Sequence, residues 1–257
     1  MKLVLIGAAS VILAQAADLK PAMVQAFDGY IRKAEARMEV RNKAHTMWAT
    51  DSAERAKALR AGDIIAEPVI GKGDAELAGA LVHDWIGAVF VPGATLAQTL
   101  ARVQDYNRNK ETHRPEVIDS KLLSRSGDDF HIFLRLMKKK VVTVVLNTEH
   151  DVRYFPVEGA FTHSRSYSTK IAEVENPGKP DERELPAGKD HGYLWRLYSY
   201  WRFEQKDGGV YMECEAISLT RDVPTGLGWL IEPIIRTMPR ESLVNTLRSS
   251  RKAIEGR

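Results

Sequence analysis

Apolar positions first recur at helical spacing. Val24, Phe27, Ile31, Ala34 and Met38 follow one another at intervals of three and four, which predicts an amphipathic helix to about Arg41. Asp51 with Glu54 has the form of a capping box and opens a second, short helix, for which Gly62 supplies the stop. From Leu77 to Val91 the pattern changes to LAGALVHDWIGAVFV, a β-rich run closed by Pro92-Gly93. Ala94 to Tyr106 returns to helix, with Leu96, Leu100 and Val103 on one side.

Long strands then follow on short polar turns, at Val117–Arg125, Phe130–Met137, Val141–Phe155 and Ala160–Val174, which predicts an antiparallel meander. Residues 175–191 carry prolines, glycines and no apolar period, the composition of a long loop of the kind that serves as a lid. Tyr193–Lys206 and Gly209–Arg221 form a hairpin turning at Asp207-Gly208. A two-residue turn sets Arg202 opposite Glu213, Tyr200 opposite Glu215, Trp201 opposite Cys214 and Phe203 opposite Met212. Trp195, Leu197, Trp201, Phe203, Met212, Cys214 and Ala216 then share a face, which is expected inside. Arg196, Tyr198, Tyr200, Arg202, Tyr211, Glu213 and Glu215 share the other, expected mostly outside as cross-strand charge pairs.

The chain closes on helix. From Pro239, Leu243, Val244, Leu247 and Ile254 line one side, while Arg240, Glu241, Asn245, Arg248, Ser249 and Lys252 line the other. The preceding stretch, with Trp229, Leu230, Ile231, Ile234 and Ile235, is apolar almost all round and is interrupted by Pro233. A segment of that kind needs a large apolar partner, and a curved antiparallel sheet upstream is the natural one. The fold class predicted is α+β: a curved antiparallel sheet wrapped around a long C-terminal helix.

With 257 residues, 44% of them hydrophobic and 28% charged, the chain can bury a sizeable core. A net charge of +3 gives no support for nucleic acid as a partner. Met1–Ala16 reads as a secretory signal peptide: Lys2, an apolar run from Leu3 to Leu13, then Ala14-Gln15-Ala16 for cleavage. The run is shorter than the roughly 20 residues of a membrane span, so no stable membrane anchor is expected after cleavage, and the mature chain is placed outside the cell or in the periplasm. The lone Cys214 allows no internal disulfide. The organisation expected is a signal at 1–16, N-terminal helices at 17–62 and one domain at 63–257.

Chemistry-bearing motifs are sparse. The histidines, His45, His83, His113, His131, His150, His163 and His191, show neither HExxH nor a CxxC companion, so no metal is expected. GxSxG, the Walker loop and a strand-borne GxGxxG are absent, which removes support for a hydrolase elbow or a nucleotide, and no cofactor is expected. His83-Asp84 are strand neighbours and point to opposite faces. Cys214 reads as a small core residue, and no catalytic residue is assigned.

The segments VHDWIGAVFVPGATL, RPEVIDSKLLSRSGDDF and YWRFEQKDGGVYMECEAISLTRDVP, the last followed by an apolar helix, resemble the START-related lipid-transfer and pollen-allergen superfamily. Its fold is the helix-grip, and the resemblance spans roughly Leu77 to Ala253. It implies a cavity between sheet and last helix for a hydrophobic small molecule such as a lipid. A dry void of ~500 Å³ would cost on the order of 12 kcal/mol at ~24 cal/mol per Å³, so a ligand or the chain's own aromatic rings must fill it. The ligand-binding residues expected are Trp195, Leu197, Trp201, Phe203 and Met212 from the sheet, with Trp229, Leu243 and Leu247 from the helix. The alternative carried by the same resemblance is a polyketide cyclase or aromatase, which would need ionisable groups pointing inward.

Overall fold

The structure is a computed structural model that describes residues 18–139, 143–186, 188–222 and 228–256, with the backbone alone for 228–236. The signal-peptide reading lies outside the described residues. The elements are α1 (Pro21–Lys43), α2 (Ala53–Arg60), β1 (Ile64–Pro68), β2 (Asp74–Leu77), β3 (Ala80–Pro92), α3 (Leu96–Val103), α4 (Asn109–Thr112), β4 (Val117–Ser126), β5 (Asp129–Lys139), β6 (Thr143–Tyr154), β7 (Phe161–Glu175), β8 (Arg183–Glu184), β9 (Arg196–Lys206), β10 (Gly209–Arg221) and α5 (Gly228–Ile254). A short 3-10 turn at Tyr106–Arg108 leads into α4.

Among the described residues the strands form one ten-stranded antiparallel sheet. Its order is β1-β3-β10-β9-β7-β6-β5-β4, with β2 added beside β3 and β8 beside β7. The meander from β4 to β7 and the β9–β10 hairpin are the predicted ones. Arg202 opposes Glu213, and Trp201 opposes Cys214. Asp207 and Gly208 both take positive φ, 54° and 76°, as a primed two-residue turn requires. Register shifts near Leu122 and Glu149 mark bulges, which bend and twist the strands that carry them.

Helices cover both faces of the sheet. On the front, Leu243 and Leu247 of α5 join Val89, Val91, Phe203, Met212 and Cys214 in one core. On the back, Phe27, Ile31, Ala34 and Met38 of α1 pack on Ala80, Val82, Tyr200, Ile217 and Leu219. Beside them Met47, Trp48 and Leu59 cover Ile86, Ala88, Phe90 and Tyr211. This explains why β3 is buried along nearly its whole length: covered on both sides, it has no solvent face, and its polar pair His83-Asp84 is buried with the apolar residues around it.

Gly87 sets how closely α5 approaches. A Cβ there would lie 2.9 Å from Leu247 Cδ1 and 3.0 Å from the Ile65 carbonyl oxygen, so only glycine lets the two leucines descend onto β3.

Three local readings are corrected. The N-cap of α2 is Ser52, whose hydroxyl accepts from the Arg55 N–H, rather than Asp51. Helix α5 is one element from Gly228 onward and continues through both Pro233 and Pro239 instead of starting at the second. The face of the last hairpin expected in solvent is buried: Arg202, Glu213 and Glu215 are 1%, 0% and 2% exposed because α1 and the segment Met47–Ala49 lie on it.

Leu247 is fully buried against Gly87, so Leu247→Ala should cost about 2–5 kcal/mol of unfolding free energy and Gly87→Ala about 1–3 through overpacking. Urea titration of both variants checks this, and an unchanged midpoint for Leu247→Ala would mean that α5 is not seated as described.

Candidate functional site

Strand pairing lays the front-face residues out in rows across the sheet. One row runs Phe130, Val152, Ser166, Ser199, Ala216, Trp85 from β5 to β3. The next runs Ile132, His150, Ser168, Leu197, Ser218, His83, with the Leu197 N–H donating to Ser168 Oγ at 3.0 Å. A third, on the side nearer the turn of the hairpin, runs Tyr154, Ser164, Trp201, Cys214, Gly87. None of these positions is an Asp, Glu, Lys or Arg.

Side-chain size varies along these rows. Under the second half of α5 the face is filled by Met212, Phe203 and the two leucines. In the middle it is built from small groups: Ser166, Ser168, Ser199 and Ala216 are all half-buried, as are Leu197 and Trp201 at their edge.

His150 lies in this region, 3% exposed. Its Nε2 is 3.0 Å from Thr148 Oγ1, and the Thr148 hydroxyl donates to the Leu134 carbonyl at 3.0 Å. Because the hydroxyl proton is committed to Leu134, Thr148 accepts from the ring, and Nε2 carries the imidazole proton. Burial pushes the His150 pKa down to about 4, with the nearby His131 adding in the same direction, so the ring is neutral at ordinary pH. Nearby, the hydroxyls of Tyr106 and Tyr154 lie 3.1 Å apart inside the core.

The residues expected to bind ligand do not share one environment. Phe203, Met212, Leu243 and Leu247 meet in the packed part of the front core. Trp201 stacks on Phe203 at 5.9 Å and stays half-buried, and Leu197 lies further along the same strand. Trp195 packs with the α1 cluster on the back, because it precedes the regular part of β9. The side chain of Trp229 lies outside the described residues. The loop 175–191 is fastened to the back of β5–β7: Glu182 takes a bidentate pair from Arg135 at 2.8 Å, and Glu184 is held by Asn147 and Lys170. It therefore does not form a lid over the front face.

The sequence reading singled out none of these serines. Their signal is the alternation in His163-Ser-Arg-Ser-Tyr-Ser168, which puts one hydroxyl after another on the same side of β7. Tyr167 and Arg165 go to the opposite side, where Tyr167 and Tyr200 both donate to Glu35 of α1.

The back face holds the strongest electrostatics. Arg202 donates to Glu213 at 2.9 Å and to Asn42 at 2.8 Å, and the Ala49 N–H donates to the other Glu213 oxygen at 2.8 Å. Next to them Asp84 and Glu215 are both sealed beneath α1, with Arg37 paired to Glu215 and the Tyr30 hydroxyl donating to Asp84 at 2.6 Å. Burial raises both carboxyls well above the carboxylate range, and their mutual repulsion adds to it for Glu215. These groups fasten α1 to the sheet.

A long C-terminal helix laid over an antiparallel sheet, with short helices bridging its first long strand to the meander, is a helix-grip. The arrangement follows from the pairing order alone. No family model matches the sequence, and no curated protein matches it. Among solved structures the chain is similar to a protein from Thermus thermophilus, at 11% identity over 66% of this chain and 96% of that one, TM-score 0.48. A STAR-related lipid transfer protein from Xanthomonas axonopodis is 17% identical over 71% and 99%, TM-score 0.47. The Zhui aromatase/cyclase from a Streptomyces species is 13% identical over 68% and 94%, TM-score 0.43. These are likenesses of layout, and no ligand or chemistry is taken from them.

The raised carboxyls of Asp84 and Glu215 keep protons in the folded chain that the unfolded chain has lost. Their contribution to stability is therefore full below about pH 4 and is lost as pH rises through the elevated folded values. Asp84→Asn should flatten the part of the stability curve that falls between about pH 5 and 8, read from urea midpoints. A variant that keeps the wild-type slope would remove this pair from the account.

Proposed function

We propose that the chain binds a hydrophobic small molecule of the lipid kind beneath α5 and sequesters or carries it. The observation that supports this most is the middle of the front face, where half-buried Ser166, Ser168, Ser199 and Ala216 adjoin half-buried Trp201 and Leu197. Helix α5, which lies against β1, β3 and β10, is apolar in sequence through its first half. A chain of ~12 methylenes would contribute on the order of 10 kcal/mol gross at ~0.8 kcal/mol each, which covers ordering costs and leaves binding in a useful range. The cyclase alternative asks for an inward acid–base pair. In the middle of the face the described candidate is His150, and its one hydrogen-bond partner is an uncharged threonine. Binding without turnover is the better-supported reading.

Native mass spectrometry of gently purified protein should show a co-purifying apolar adduct, and delipidated protein should take up Nile red with a blue-shifted emission. Trp201→Ala should weaken that uptake about threefold to tenfold. A single apo mass together with no dye uptake would end the carrier reading.

Export is proposed on the strength of residues 1–16 alone. Cleavage after Ala16 would leave α1, which begins at Pro21, whole. The intact mass of protein from a secreting host should correspond to a chain starting at Ala17, and retention of Met1 would overturn this.

A further inference from the structure

We propose that His150 Nδ1 is the polar anchor of the front-face site and selects an uncharged ligand that donates a hydrogen bond, an alcohol or phenol on an apolar body. The proposal rests on the binding reading above and adds the chemistry of the ligand's polar end.

Two observations meet at this point. The proton of His150 is fixed on Nε2, because Thr148 gives its own hydrogen to Leu134 and has only a lone pair to offer the ring. That leaves Nδ1 as a bare acceptor, and among the described residues none donates to it. On a residue only 3% exposed, that lone pair is left to a donor that a bound molecule brings.

Charge decides what that end is. Among the described residues of the sheet no Asp, Glu, Lys or Arg stands in the rows through Phe130, Ile132 and Tyr154, so these rows offer a carboxylate or phosphate no counter-ion. The imidazole does not supply one, since it stays neutral. An ether or ester oxygen would face the lone pair of Nδ1 with another lone pair. A hydroxyl meets Nδ1 with a proton.

The test uses delipidated full chain loaded with Nile red and displaced at pH 7.5 by 1-decanol, decyl methyl ether or decanoate. Wild type should prefer decanol to the methyl ether by about fivefold to tenfold, the worth of one neutral hydrogen bond, with decanoate weaker still. His150→Phe, with each displacement referred to that variant's own dye affinity, should bring the alcohol-to-ether ratio to about one. Thr148→Val removes the acceptor that fixes the tautomer and leaves His150 in place. It should shrink the ratio too, which keeps the proposal testable if the Phe variant does not fold. Equal displacement by decanol and its ether in wild type, stronger displacement by decanoate, or an unchanged ratio in both variants would overturn the anchor while leaving a hydrophobic site intact. No dye uptake by wild type would overturn the site itself, and the anchor with it.

Discussion

The structure depends on burying β3 on both faces. An edge-proximal strand of a front-only sheet could alternate apolar and polar residues, but β3 is covered by α5 on one side and by the N-terminal helices on the other. Everything across from it inherits that constraint. β10 and β9 must then present to α1 whatever they do not present to α5, and what they present is Arg202, Glu213, Glu215 and two tyrosines. A sheet face carrying that many ionisable groups can be sealed only if the covering helix brings partners, and α1 brings Arg37, Glu35, Tyr30 and Asn42. Removing one partner from such a pair leaves a buried charge, which costs far more than the pair itself contributes.

The order of elements was legible because long strands and amphipathic helices announce themselves by period, and the Asp207-Gly208 turn fixed the hairpin register to the residue. The facing of that hairpin's charged side was not legible. Arg202, Glu213 and Glu215 alternate in the way a solvated face does, and only the docking of α1, a contact between distant parts of the sequence, reverses the conclusion. Composition has no access to such a contact. The aromatic residues chosen as ligand contacts divided for a related reason. Hydrophobicity ranks Phe203, Met212, Leu243 and Leu247 above their neighbours, and that same property makes them the residues that close-pack and leave no room. Between them the serines of β7 supply the small side chains of the face.

The two faces handle polarity in opposite ways. The back neutralises charge with charge at short range and shuts water out. The front carries hydroxyls and the neutral imidazole of His150, polar groups without charge. The long loop is committed to the back through Arg135 and Lys170.

Cys214 gives this division a practical consequence. It is the chain's one thiol, it sits in the front core beside Trp201 and Gly87, and burial holds it protonated far above its usual range. A thiol in that state does not react with alkylating reagents until the helix above it lifts. Alkylation of this thiol therefore reports opening of that layer without an engineered label.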